Sequence, residues 1–171
     1  MINKINKLSQ AEFVKVFANI FENSSWIASE LYKIKPFDNF ENFSSKFFVI
    51  FDNASKEEKL KILKAHPDLA DKVKMGSLTE DSKKEQTSAK LDQCTEKEFN
   101  EFKDLNKKYK KKFGFPFIYA VKDKSKKEIL SNFRQRVSYD INVEFNEAIK
   151  QVKKIANLRL NEINKNEKSF F

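Results

Sequence analysis

Glycine is nearly missing from this chain of 171 residues; only Gly76 and Gly114 occur. That excludes the glycine-rich loops that cradle nucleotide phosphates. Cysteine and histidine appear once each, as Cys94 and His66. No disulfide framework within one chain and no zinc-ligand spacing follow from such a supply, and no carboxylate set resembles a calcium loop, so no metal is expected. A Cys–His nucleophilic pair is conceivable, but a structural or incidental role for Cys94 is the plainer reading. No run approaches the ~20 apolar residues that cross a bilayer. The opening "MINKINKLSQAEF" lacks the apolar core and cleavage site of a secretory signal, and "NEKSFF" is no peroxisomal address. A reducing, cytoplasmic location is the default expectation.

Arginine is also scarce. Of 34 cationic side chains only Arg134, Arg136 and Arg159 are arginine, against a net charge of +9. Arginine is the better residue for bidentate phosphate or guanine contacts. Lys, Asn, Phe and Ile are abundant, and their codons are rich in A and T, so a biased genome would produce this charge with no polyanionic partner. A solvated lysine surface is favoured over nucleic-acid binding. A basic helical module for nucleic acid or an anionic surface stands as the reading from a different class. The 18 phenylalanines fit the same bias and serve as core filler.

What is present is mostly helical. "SQAEFVKVFANIFEN" sets Phe13, Val14, Phe17, Ile20 and Phe21 on one face. "SSWIASELYKI" is a second helix, ended by Pro36. "FENFSSKFFVIFDNA" is apolar over most of its circumference, which predicts the most buried helix. Ser55 with Glu58, Thr95 with Glu98 and Ser125 with Glu128 have capping-box spacing, and Gly114 is a plausible helix stop. Asp140 opens a final helix, and the last six to eight residues should fray. "FPFIYAV", residues 115–121, reads as a buried extended segment without a partner strand. No repeat, linker or boundary divides the chain. The expectation is a single all-α domain over 1–171, a bundle of about eight helices.

The only histidine stands before a proline in "AHPDLA". A residue before proline is pushed out of the helical region, so the preceding helix should stop at or before His66, while Pro67 and Asp68 suit the first turn of another. His66 therefore lies at a corner where a side chain can face a cleft. In "DSKKEQ", Ser82, Glu85 and Gln86 share one helical face. Acid/base chemistry by His66 and Glu85 is one reading; a plain capping box of Ser82 with Glu85 is the other.

"AHPDLA", "SKKEQ", "KFGFPFIYAV" and "IANLRL" occur in the order and near the spacing of the OHCU decarboxylases, and "FVKVFANIFENSSWIA" followed by "KPF" resembles that family's opening. The resemblance covers residues 8 to 160. It implies an all-helical, cofactor-free decarboxylase, often a homodimer, acting on the small molecule 2-oxo-4-hydroxy-4-carboxy-5-ureidoimidazoline in urate degradation. It further implies His66 as the catalytic acid/base with Glu85 beside it, and Pro67 lining the pocket. Ser82, Glu85 and Gln86 would hold the hydantoin ring and ureido group, Phe115, Phe117 and Ile118 would supply backbone groups, and Arg159 would bind the substrate's oxygens. The chain departs from the common pattern at Lys122, Lys90 and Ser25. Lys122 keeps a charge but loses a bidentate fork. A relative of the same fold that takes another ureide, or is inactive, remains an alternative.

The implied chemistry suits those residue types. The substrate's carboxylate sits on a carbon beside a ring C=N bond, so the electrons freed as CO₂ leaves have a sink without a cofactor. The protein must orient the carboxylate and deliver one proton to one face, and a histidine titrating near neutrality suits that step. Val152, Ile155 and Leu158 mark a buried stripe that Arg159 borders.

Overall fold

The computed structural model describes residues 1–69 and 95–166. Among them are eight helices and no strand: α1 Ile2–Lys7, α2 Gln10–Phe17, α3 Ser25–Lys33, α4 Phe40–Asn53, α5 Lys56–Ala65, α6 Glu96–Phe113, α7 Lys126–Arg136 and α8 Ile141–Lys165. The architecture is all-α, as the periodicity predicts. The expected fraying of the tail falls mostly beyond residue 166, outside the described residues.

Local chemistry sets the helix ends. The Ser55, Thr95 and Ser125 amides each donate to the glutamate three residues on, at 2.7, 2.8 and 2.8 Å. Each hydroxyl oxygen accepts the glutamate's amide in return. Ser9 with Glu12 forms a fourth box of this kind. These bonds satisfy amides that a helix's first turn otherwise leaves unpaired. They also hold carboxyls below the usual range: the Ser9 hydroxyl does so first for Glu12, and the Ser55 and Ser125 amides for Glu58 and Glu128. For Glu98 the largest cause is Lys126, followed by the Thr95 amide. At the other end of α6, Gly114 turns left-handed at φ +75° and its amide closes on the Lys110 carbonyl at 2.9 Å. A side chain is disfavoured there by backbone strain, since the space beside it is open.

The chain divides into two compact units. One comprises residues 1–65 and 153–171, the other 66–152, so α8 contributes to both. In the first, α2 packs on α3 and α3 on α4. The core there is phenylalanine: Phe13, Phe17 and Phe43 form a cluster with centroids 4.8–6.2 Å apart, and Phe21 stacks on Phe51 at 4.4 Å. Each fully buried ring contributes about 1.5–3 kcal/mol. The expectation that α4 is the most buried helix needs correction. It buries one stripe, Phe43, Phe47 and Phe51, at spacings of four, while Val49 is 53% exposed. Phe40, Phe48 and Ile50 are only half-buried, and Phe48 carries the Lys153 ammonium 5.8 Å from its ring centre.

In the second unit α6 packs on α7. Phe102, Tyr109, Phe113, Phe115, Phe117 and Phe133 form its aromatic core, with Phe117 stacked on Phe133 at 3.8 Å. Residues 116–121 are neither helix nor strand, and Phe117, Ile118 and Val121 within them are buried.

Candidate active site

Helix α5 buries Ile62 and Leu63 and stops at Ala65, one residue before His66, where the proline rule places the break. His66 is 9% exposed and Leu69 is buried, while Pro67 is half-buried. The corner is tied to α6 by charge. Lys110 Nζ donates to Asp68 Oδ2 at 2.8 Å, with the Asp68 side chain only 9% exposed. The other oxygen, Asp68 Oδ1, is buried and has no hydrogen-bond partner among the described residues. One turn earlier on α6, Asn106 is 8% exposed and its Oδ1 is likewise buried without a partner among the described residues.

The segment after Gly114 spends its side chains on the core. Phe115, Phe117 and Ile118 are all at most 2% exposed. What remains for a ligand is the backbone, and that is held from two sides. Arg136 Nη1 donates to the Ile118 carbonyl at 2.8 Å, and the Ala120 amide donates to Gln151 Oε1 at 3.1 Å. The amides of Phe117 and Ile118 make no backbone hydrogen bond among the described residues. With the Ile118 carbonyl committed to Arg136, the N–H groups are what this segment can offer a ligand.

Arg136 is itself 1% exposed and pairs with Glu144, fully buried, whose two oxygens both accept from Nε at 3.1 Å. Tyr109 donates its hydroxyl to the same carboxylate. The guanidinium lies 4.6 Å from the Phe117 ring centre. Burial, then the neighbouring carboxylate, pushes the Tyr109 phenol far above its ordinary pKa, so it stays a neutral donor. Sequence reasoning missed this network. The scarcity of arginine that drew attention to Arg159 applied equally to Arg136, but nothing local pairs it with Tyr109, 27 positions earlier.

Arg159 belongs to the other unit. It is 6% exposed; Nη1 donates to the Asn19 carbonyl at 2.8 Å and Nη2 to Glu22 Oε1 at 2.7 Å. It sits within the buried stripe of α8 and not beside it: Val152, Ile155, Ala156, Leu160 and Ile163 are buried and Leu158 is half-buried. The expected stripe was one residue out of phase at its end. Of the candidate residues, His66, Pro67, Phe115, Phe117 and Ile118 fall in one unit and Arg159 in the other. Ser82, Glu85 and Gln86, with Lys90 and Cys94, lie outside the described residues.

Comparison with known proteins agrees with the motifs. The family model for OHCU decarboxylase matches residues 6–161. A 2-oxo-4-hydroxy-4-carboxy-5-ureidoimidazoline decarboxylase of Haloferax volcanii is 36% identical over 161 residues, covering 94% of each chain. A uric acid degradation bifunctional protein of Bacillus sp. (strain TB-90) is 39% identical over 95% of this chain, which spans about a third (32%) of that protein. The solved structure of an (S)-allantoin synthase superposes with a TM-score of 0.78 at 28% identity, over 95% of this chain and 53% of the other. By the full-length match of family model and relatives alike, the chain belongs to the OHCU decarboxylase family.

Proposed function

We infer that this chain is a carboxy-lyase that converts 2-oxo-4-hydroxy-4-carboxy-5-ureidoimidazoline to (S)-allantoin in urate degradation. The observation that carries the reading is the match along nearly its whole length to a decarboxylase of nearly the same length. As CO₂ leaves, its bonding electrons form a C=C bond to the neighbouring ring carbon, and the former imine nitrogen takes a proton. Ketonisation of the resulting enol then places hydrogen on that carbon and fixes the stereocentre. The substrate holds its own electron sink, so no cofactor is required. His66 acts as acid/base, and its buried corner keeps water from protonating the wrong face.

Around it, Pro67 lines the pocket, and the Phe115–Ile118 backbone presents amides to substrate oxygens, which Arg136 supports by holding the Ile118 carbonyl aside. From the family resemblance, Glu85 orients the histidine or the ureido group, Ser82 and Gln86 bind the ring, and Arg159 binds substrate oxygens. The partner is a small molecule and not nucleic acid: Arg136 and Arg159 are buried, so neither presents its fork on the surface that a phosphate backbone would contact. A cytoplasmic homodimer is the accompanying proposal, carried by the family resemblance. No described helix is long and apolar enough to cross a membrane.

The test couples urate oxidase and the hydrolase to supply fresh substrate, with circular dichroism following allantoin. The spontaneous reaction is racemic, so enantiomeric excess is the deciding quantity. The wild type should give the S form, and His66→Ala should lower the rate about 10²- to 10⁴-fold with helicity unchanged. Racemic product from the wild type rejects the decarboxylase; full turnover by His66→Ala rejects the role of that residue.

A further inference from the structure

Two buried acceptors of the second unit, one at the His66 corner and one on α6, have no donor among the described residues. Asp68 Oδ1 and Asn106 Oδ1 are both buried, and neither meets a hydrogen-bond donor among the described residues. Lys110 links the two in the chain: Asn106 lies four residues, about one turn, before it on α6, and the Lys110 ammonium holds the other Asp68 oxygen at 2.8 Å. Burying a polar atom unpaired is costly, and native proteins rarely leave one so. An apolar residue at position 106 would make a better helix and a better core. The cost is explained if a ligand supplies the donors.

We propose that Asp68 and Asn106 form a paired acceptor site for the N–H groups of a ureide, which makes them specificity-determining residues of the active site. The assignment rests on the decarboxylase reading. The chemistry matches on both sides. The substrate and allantoin are rich in N–H donors, through the ring and the ureido arm, whereas a carboxylate-rich or phosphate-rich ligand would be repelled by two acceptor oxygens. Lys110 has a defined part in this: its ammonium saturates Asp68 Oδ2 and offsets the carboxylate charge, so Oδ1 is aimed and left for the ligand. The amides of Phe117 and Ile118 in the same unit, which make no backbone hydrogen bond among the described residues, offer the opposite polarity, donors for the ligand's carbonyl oxygens. A site that hydrogen-bonds a substrate N–H strongly rejects analogues lacking it, because its own buried groups are then stranded.

A structural and a ligand-binding role for Asn106 predict opposite patterns, which makes the experiment decisive. Asn106→Leu should leave the thermal midpoint unchanged or raise it, because an unsatisfied acceptor is removed, and should weaken (S)-allantoin binding at least tenfold by calorimetric titration. KM for the substrate should rise in parallel, with a smaller change in kcat. Asp68→Asn, which keeps the shape but exchanges an acceptor for a donor, should also weaken allantoin at least tenfold. A fall in thermal midpoint of Asn106→Leu with unchanged allantoin affinity overturns the proposal. If Asn106→Leu does not fold, Asp68→Asn decides alone, and wild-type affinity in that variant overturns it equally. Should the wild type neither turn over substrate nor bind allantoin, the decarboxylase reading itself falls. If the wild type does both, and the variants bind as it does, only the acceptor pair falls.

Discussion

Arg136 and Arg159 each lie buried beside a glutamate and donate to the carbonyl of an irregular segment, yet the two surroundings differ. Arg136 is sealed: Glu144 is fully buried, Tyr109 adds another donor to its carboxylate, and Phe117 covers the guanidinium face. Arg159 stands nearer solvent, with Glu22 at 8% exposure, and grips the Asn19 and Ile20 carbonyls beyond α2. The comparison teaches that a rare, buried arginine is not by itself a sign of substrate binding. Its planar fork also suits backbone that has left regular structure, and a glutamate is then needed to balance the charge.

The comparison is broken most severely at Glu144. Glu144→Ala strands the Arg136 charge in the core and should lower unfolding free energy by about 3–5 kcal/mol, measured by urea denaturation. A loss within about 1 kcal/mol would mean that the pair contributes only what an exposed one does. Arg159 provides the finer discrimination. Arg159→Lys should raise KM at least tenfold, about 1.4 kcal/mol of binding, if its fork also meets the substrate. A loss of stability with unchanged KM would place Arg159 beside Arg136 as a purely internal clamp.

The smallest effects lie at the surface caps. Thr95→Ala should cost about 1 kcal/mol in stability and nothing in KM. The capping glutamates Glu12, Glu58, Glu98 and Glu128 all have depressed pKa values. Their stabilisation is therefore fully present above the ordinary carboxylate range and is lost as pH falls through the lowered values. Thermal midpoints taken from neutral into the acid range should fall, and Glu98→Gln, which removes one of the titrating carboxylates, should flatten that fall slightly. An acid limb identical in the variant would rule out this cap as a contributor.

These caps were also the most legible part of the molecule. Ser55, Thr95, Ser125 and Gly114 act on neighbours within a turn or two, so spacing alone locates them, and the break at His66 follows from one proline. The Arg136 network joins α6, α7, α8 and the 116–121 segment, and Arg159 meets residues 137 to 140 positions away. Such meetings depend on how helices pack, which periodicity does not encode. Asn106 was invisible for another reason: its position on the buried face of α6 makes chemical sense only once its partners are seen to be missing.

The division of α8 between the two units bears on how the chain is made. The first unit takes residues 1–65 from the start of the chain and closes only with residues from 153 onward. On a ribosome moving at ~5–20 residues per second, roughly 4–18 s separate these two stretches. Through that interval Phe13, Phe17, Phe43 and Phe51 emerge before the helix that completes their unit. Nascent chains of this protein should thus be clients of the chaperones that shield aromatic surface, and truncation before α8 should increase aggregation relative to the full chain.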